Sequence, residues 1–351
     1  MEVDYIIVGC GLAGISFCEQ LKENNKTFVV FDDKSQLSST VAGGLYNPVV
    51  LKRFTAVWNC EAQLALALPM YKRIEDALQV KLDYKIPVYR KFSSLEEQND
   101  WFTASDKPRL SAYLSTTLIN NTNTAIDAKF GFGEVLDTGR IDVATLINAY
   151  KAYLLDNDLL LQTAFNYSSL HHNPDGVVYN NITAKHIVFC EGFGYTQNIF
   201  FDNFPMQATK GELLKIHAPD LNISYVVKGP VFIIPLGNDI YYVGATYNSQ
   251  DTTSDITSDA KKSIIEKLKT IITCPFDVVS QLAGIRPTVK DRRPLVGRHP
   301  KHNNIYVLNG LGTRGVMIAP YVSKQLFQFI ENKIPLDKEI NINRFKVFKK
   351  K

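Results

Sequence analysis

The chain carries little net charge: 351 residues with a net charge of +4, its Lys and Arg scattered. That pattern leaves no electrostatic footprint for nucleic acid beyond a short basic tail, Lys349-Lys350-Lys351. Cysteines are few and odd in number. The five, at 10, 18, 60, 190 and 274, show no Cys-x-x-Cys spacing and two fall inside the first β-α unit, so they read as reduced core thiols, with no disulfide framework and no metal site. No apolar run reaches the ~18 residues of a membrane span. An organised fold starts by residue 4, leaving no room for a signal peptide, and a cytoplasmic protein is expected. A hydrophobic content of 45% against 21% charged residues excludes disorder. The length exceeds one ordinary core and suits two domains.

What is present is concentrated at the start. The apolar run from Asp4 to Val8 feeds directly into Gly9-Cys-Gly11-Leu-Ala-Gly14, then into a helix-period segment (Leu12, Ile15, Cys18, Leu21). A second apolar run, Thr27 to Phe31, delivers Asp32, eighteen residues past Gly14. Strand, tight turn, helix, strand and acid at this spacing form the dinucleotide fingerprint. Gly9 makes the turn, Gly11 lets backbone amides approach a pyrophosphate, and Gly14 lets helix and strand pack closely. Free amides and the positive helix end meet phosphates. Asp32 accepts from ribose hydroxyls and repels a 2′-phosphate, so the ligand is FAD or NAD, not NADP.

Further along, Ser38 to Pro48 is small and hydroxylated (Ser39, Thr40, Ala42, Gly43, Gly44, Leu45), which suits a flat ligand lying on backbone. Residues 54–80 have helical spacing, 82–92 are β-like, and 93–128 are polar and Asn/Thr-rich, a surface composition. Asp142 is a natural N-cap for a helix from Val143 to Leu155. Leu159–Phe165 and Ala184–Cys190 are apolar runs, the second closing on Glu191 and Gly192. From Met206 to Tyr247 successive short strands predict an antiparallel sheet, with an amphipathic helix over 259–272 packed on it. Gly284-Ile-Arg286-Pro287 follows. A second glycine-rich helix start, Gly310-Leu-Gly312-Thr313-Arg314-Gly315-Val316-Met317, leads to Pro320, where a missing amide is tolerated near a helix start. His171, His172, His299 and His302 read as solvated.

These pieces together resemble the glycine oxidase / D-amino acid oxidase family of FAD-dependent oxidoreductases over nearly the whole chain. The resemblance implies an α/β fold: a Rossmann-like FAD-binding domain with a parallel sheet (1–83, 140–205 and 281–351) and an inserted, mainly antiparallel α+β substrate domain (84–139 and 206–280). It implies an FAD-dependent amine or amino-acid oxidase or dehydrogenase, with hydride transfer to flavin N5 and oxygen or a quinone as acceptor. Arg286 would grip a substrate carboxylate, Arg314 would act beside it or brace its turn, and Phe232 would stand near the substrate. The fingerprint residues Gly9, Gly11, Leu12, Ala13, Gly14, Asp32 and Asp33 would hold FAD, with the 39–45 loop, Phe165, Cys190-Glu191-Gly192, Arg286 and the 310–317 turn. The covalent flavin cysteine of sarcosine oxidase relatives has no counterpart after Cys274, so FAD is expected non-covalent. Arg314 also matches the enzyme that trims carboxymethylaminomethyl-uridine in tRNA, which makes tRNA an alternative substrate. A non-catalytic flavin-binding partner protein is the alternative of another class.

Overall fold

The computed structural model describes residues 1–36, 38–201 and 205–345; the basic tail at 349–351 lies outside them. Strand Glu2–Val8 is apolar on both faces and takes the centre of the first sheet, as a strand buried on two sides must. Phe28–Phe31 and Ile182–Phe189 flank it in parallel. Leu160–Leu161 extends one side, and Ile305–Asn309 pairs in parallel with the far half of Ile182–Phe189. The nucleotide-type strands of the sequence are therefore neighbours. A hairpin, Leu170–Asn173 with Gly176–Tyr179, adds antiparallel edge strands to the same sheet.

Helices Leu12–Glu23, Gly315–Glu331 and Cys60–Leu78 pack on one another in the largest apolar core. Pro320 lies six residues into its helix and cannot donate to the carbonyl of Val316. The hydroxyl of buried Tyr71 donates to that oxygen instead, at 2.9 Å. Asp142 caps helix Val143–Asp156, its carboxylate accepting from Thr145 N at 3.2 Å.

The second sheet orders its strands Asp277–Val289, Met206–His217, Ile240–Gly244, Phe232–Gly237, Val226–Lys228, Val88–Lys91, Phe132–Val135, Leu114–Ile119. All neighbours run antiparallel except Val226–Lys228 with Val88–Lys91. Helix Ser258–Leu268 packs on it. Strand Asp277–Val289 pairs along its whole length with Met206–His217, so the chain leaves this sheet after Val289, later than the 281 read from the sequence. Pro287 does not end the strand, because this strand is an edge and needs no outward amide. The polar 93–128 stretch also holds more than surface: helix Leu95–Ser105, capped by Ser94, buries Trp101 completely, and the indole N–H donates to Ser115 O at 2.9 Å. His171 and His172 are exposed as read, but His299 and His302 are half-buried and stacked at 4.4 Å. Burial holds the His299 imidazole down to about 4.

Candidate active site

One cavity of about 910 Å³ runs from the fingerprint turn to the face of the second sheet. At its nucleotide end Gly9 adopts φ +100°, and a Cβ there would lie 2.5 Å from the carbonyl oxygen of Cys190. Gly14 abuts the Gly9 carbonyl so closely that any side chain would overlap it. Gly11, the N-cap of helix Leu12–Glu23, has no side-chain cap, and a Cβ on it would meet only Ser39 Oγ, at 3.2 Å. Amides at this helix start therefore face a cradle that a side chain would fill, the geometry a pyrophosphate requires. Asp32 is anchored rather than free: Oδ2 accepts from Cys10 N at 2.8 Å, and Oδ1 accepts from Lys151 Nζ at 2.6 Å and Lys34 N at 3.0 Å.

Asp33, Leu12, Ala13, Ser39, Thr40, Ala42, Gly43, Gly44, Leu45, Phe165, Cys190, Glu191 and Gly192 all line this cavity, with Gly312, Thr313, Arg314, Gly315, Val316, Phe232 and Arg286. Gly14, Gly310 and Met317 do not. Gly14 serves packing against the turn, Gly310 (φ +74°) sits against Val289, and Met317 is fully buried in the helical core. FAD fits the residues that remain: the fingerprint end would hold the adenosine and pyrophosphate, and the 312–316 turn would face the ring system.

Burial raises the Glu191 carboxyl from its ordinary 4.5 to about 7, against hydrogen bonds from Asn198 (2.7 Å) and Tyr167 that favour the charged form. The folded chain binds this proton more tightly than the unfolded one. The penalty for ionised Glu191 is thus absent below about pH 4.5, grows as pH rises, and is complete above about pH 7, worth up to about 3 kcal/mol. Glu191→Gln is expected to raise Tm relative to wild type at pH 8.5 more than at pH 5; an equal gap at both would show that the carboxyl is not held protonated. Cys10 and Cys190 also line the cavity, but burial pushes both thiols up, Cys10 to about 12, so neither offers a thiolate for a flavin bond.

At the far end stands Arg286. Its Nη1 donates to Thr246 O at 3.3 Å and the guanidinium lies 5.8 Å from the Tyr247 ring centre. Among the described residues it pairs with no carboxylate, and burial lowers its pKa. Its head occupies the space above Gly211, where an added Cβ would overlap it. The sequence does not single out Gly211, which stands between Lys210 and Glu212 on a strand of mixed polarity; its role shows only where the Arg286 head meets it. Gly211→Ala is expected to keep FAD bound yet lower kcat/KM by about a hundredfold, since a displacement of an ångström at a positioning group costs that much; unchanged kinetics would separate Arg286 from the reaction. Arg314, at the start of the last long helix, also lacks a carboxylate among the described residues and has its pKa lowered by burial, then by Arg292.

The family model for the FAD dependent oxidoreductase matches residues 4–328. Glycine oxidase of Bacillus subtilis (strain 168) is 22% identical over 354 residues, covering 93% of each chain. The tRNA 5-methylaminomethyl-2-thiouridine biosynthesis bifunctional protein MnmC of Methylobacillus flagellatus is 25% identical over 169 residues, 39% of this chain and 26% of that protein. Among solved structures, glycine oxidase from Geobacillus kaustophilus superposes with a TM-score of 0.79 at 16% identity, covering 96% of this chain and 97% of that one.

Proposed function

Because the chain belongs to the FAD dependent oxidoreductase family, we propose that it oxidises the C–N bond of a small amino acid or N-substituted glycine, giving an imine that water hydrolyses to an oxo acid and a smaller amine. The observation that supports this most is Arg286, an arginine without a carboxylate partner among the described residues, in the same cavity as the dinucleotide cradle. When bound, FAD supplies the acceptor, at N5, for the hydride leaving the carbon beside nitrogen. Arg286 holds the substrate carboxylate through its planar fork and so fixes that carbon in place. Phe232, Leu213 and Tyr242 form the wall around it. Arg314 and the positive helix end beneath it set a positive potential over the 312–316 turn. The second sheet contributes no Asp, Glu or His to the described cavity wall; an amine that arrives neutral needs no acid or base from the protein, whose work is then positioning and electrostatics. Oxygen or a quinone then takes the electrons.

Acid precipitation should release the flavin as intact FAD, and turnover should yield an oxo acid in equal amount with methylamine from N-methylglycine and with ammonia from D-amino acids. Flavin left in the pellet, or no turnover with any of them, would refute this reading. A second reading, trimming of a carboxymethylaminomethyl group on tRNA uridine, draws on the partial similarity to the bifunctional tRNA-modifying protein and on Arg314. Salt-dependent binding of tRNA together with loss of that group would favour it.

A further inference from the structure

We propose that the cavity contains a second anion position, at Lys228, and that the substrate is an amine bearing two carboxylates, one held by Arg286 and the other by Lys228. This rests on the amine-oxidation reading and narrows its substrate class. Lys228 ends strand Val226–Lys228 and lies opposite Phe232, which lies opposite Gly244, which lies opposite Leu213. Residues paired across neighbouring strands point to the same face. All four line the cavity, as does Arg286, whose head lies over Gly211, two residues from Leu213.

The Lys228 ammonium sits 4.4 Å from the centre of the Phe232 ring, the next residue along this row. From the Phe232 strand to the Gly211 strand there are two strand spacings, about 10 Å. One carboxylate cannot touch both cations. With each N-to-O contact taking about 3 Å, the remainder is the length of a few bonds, as between the two carboxylates of an N-(carboxyalkyl)glycine.

Nothing inside the described protein supplies the missing anion. The charged groups around Lys228 are Arg90 and Lys267, both cationic, and Arg90 is engaged by Glu97 at 2.7 Å. The acids lining the cavity are Asp32, Asp33 and Glu191, all from the nucleotide end. The ring face offsets part of the cost of a half-buried ammonium, but an unpaired cation facing a ligand cavity is satisfied fully only by an anion from solution. Burial lowers its pKa to about 8, which leaves the charge in place at pH 7.

The test uses the FAD-loaded enzyme at pH 7 with N-methylglycine, N-(carboxymethyl)glycine and N-(2-carboxyethyl)glycine. Wild type is expected to favour the better diacid at least tenfold in kcat/KM, mainly through KM. Lys228→Met should bring that ratio to about one, and Lys228→Arg should restore most of it. Succinate, which carries no amine to oxidise, should perturb the flavin spectrum at lower concentration than propionate in wild type but not in Lys228→Met. If N-methylglycine is oxidised and Lys228→Met leaves the ratio unchanged, the second anion position is overturned and amine oxidation stands. If no acid is oxidised and succinate leaves the spectrum unchanged, both fall together.

Discussion

Gly11→Val is expected to give protein that folds and carries no flavin. Gly11 has φ −89° and ψ −166°, which valine adopts without strain, and its Cβ would meet only Ser39 Oγ at 3.2 Å. The fold has room for the Cβ once the Ser39 hydroxyl gives way by a few tenths of an ångström. The phosphate cradle does not, because the branched side chain stands where backbone amides of the helix start must approach the pyrophosphate. Gly14→Val forms the contrast: its Cβ collides with the Gly9 carbonyl, so it should lose stability as well as colour, by roughly 1–3 kcal/mol for such overpacking. Circular dichroism and visible absorbance of the two purified variants check this. A yellow Gly11→Val protein would show that the pyrophosphate does not lie over this helix start.

Arg286→Ala is expected to keep FAD and lose most of its activity. Truncating one partner of a desolvated charge pair costs roughly 2–5 kcal/mol. At about 1.4 kcal/mol per decade that is a fall in kcat/KM of very roughly 30-fold to a few thousand-fold. Lysine at this position should recover only part, because a point charge cannot reproduce the two-pronged contact. Steady-state kinetics with the amino acid, beside flavin content per protein, separate a substrate role from a cofactor role. Full activity in Arg286→Ala would move the carboxylate elsewhere, with Arg314 the first residue to test.

The cofactor half of the site was legible because its constraints are local. A strand, three glycines, a helix and an acid occupy the first 32 residues; Gly14 is demanded by the Gly9 carbonyl five residues away and Gly11 by the ligand, and only Gly9 also answers to a distant atom, the Cys190 carbonyl oxygen. The sequence reading did not tell that Gly310 serves packing: it looks like Gly11 on paper, yet of the two only Gly11 reaches the cavity. Nor were Gly211 and Lys228 legible. Both acquire meaning only through the fold: Gly211 lies opposite Gly284, 73 residues on, and Lys228, though only four residues from its partner Phe232, meets the cavity only once that hairpin joins the sheet that carries Arg286. Lys151 is a similar case, a helix lysine that meets Asp32 only after 119 residues of chain return to the first sheet. The same holds for the helix that buries Trp101 within a polar stretch. Its cap, Ser94 with Glu97 three residues on, was a local signal that the surrounding composition outweighed.

Anaerobic mixing of the yellow protein with an N-substituted glycine and, separately, with its carboxamide tests the central claim most directly, since only an acid engages Arg286. The account predicts that the acid bleaches the flavin at low concentration in wild type, that the carboxamide does so far more weakly, and that Arg286→Ala barely distinguishes the two. Equal bleaching by acid and carboxamide in wild type, or a full preference for the acid in Arg286→Ala, would contradict it.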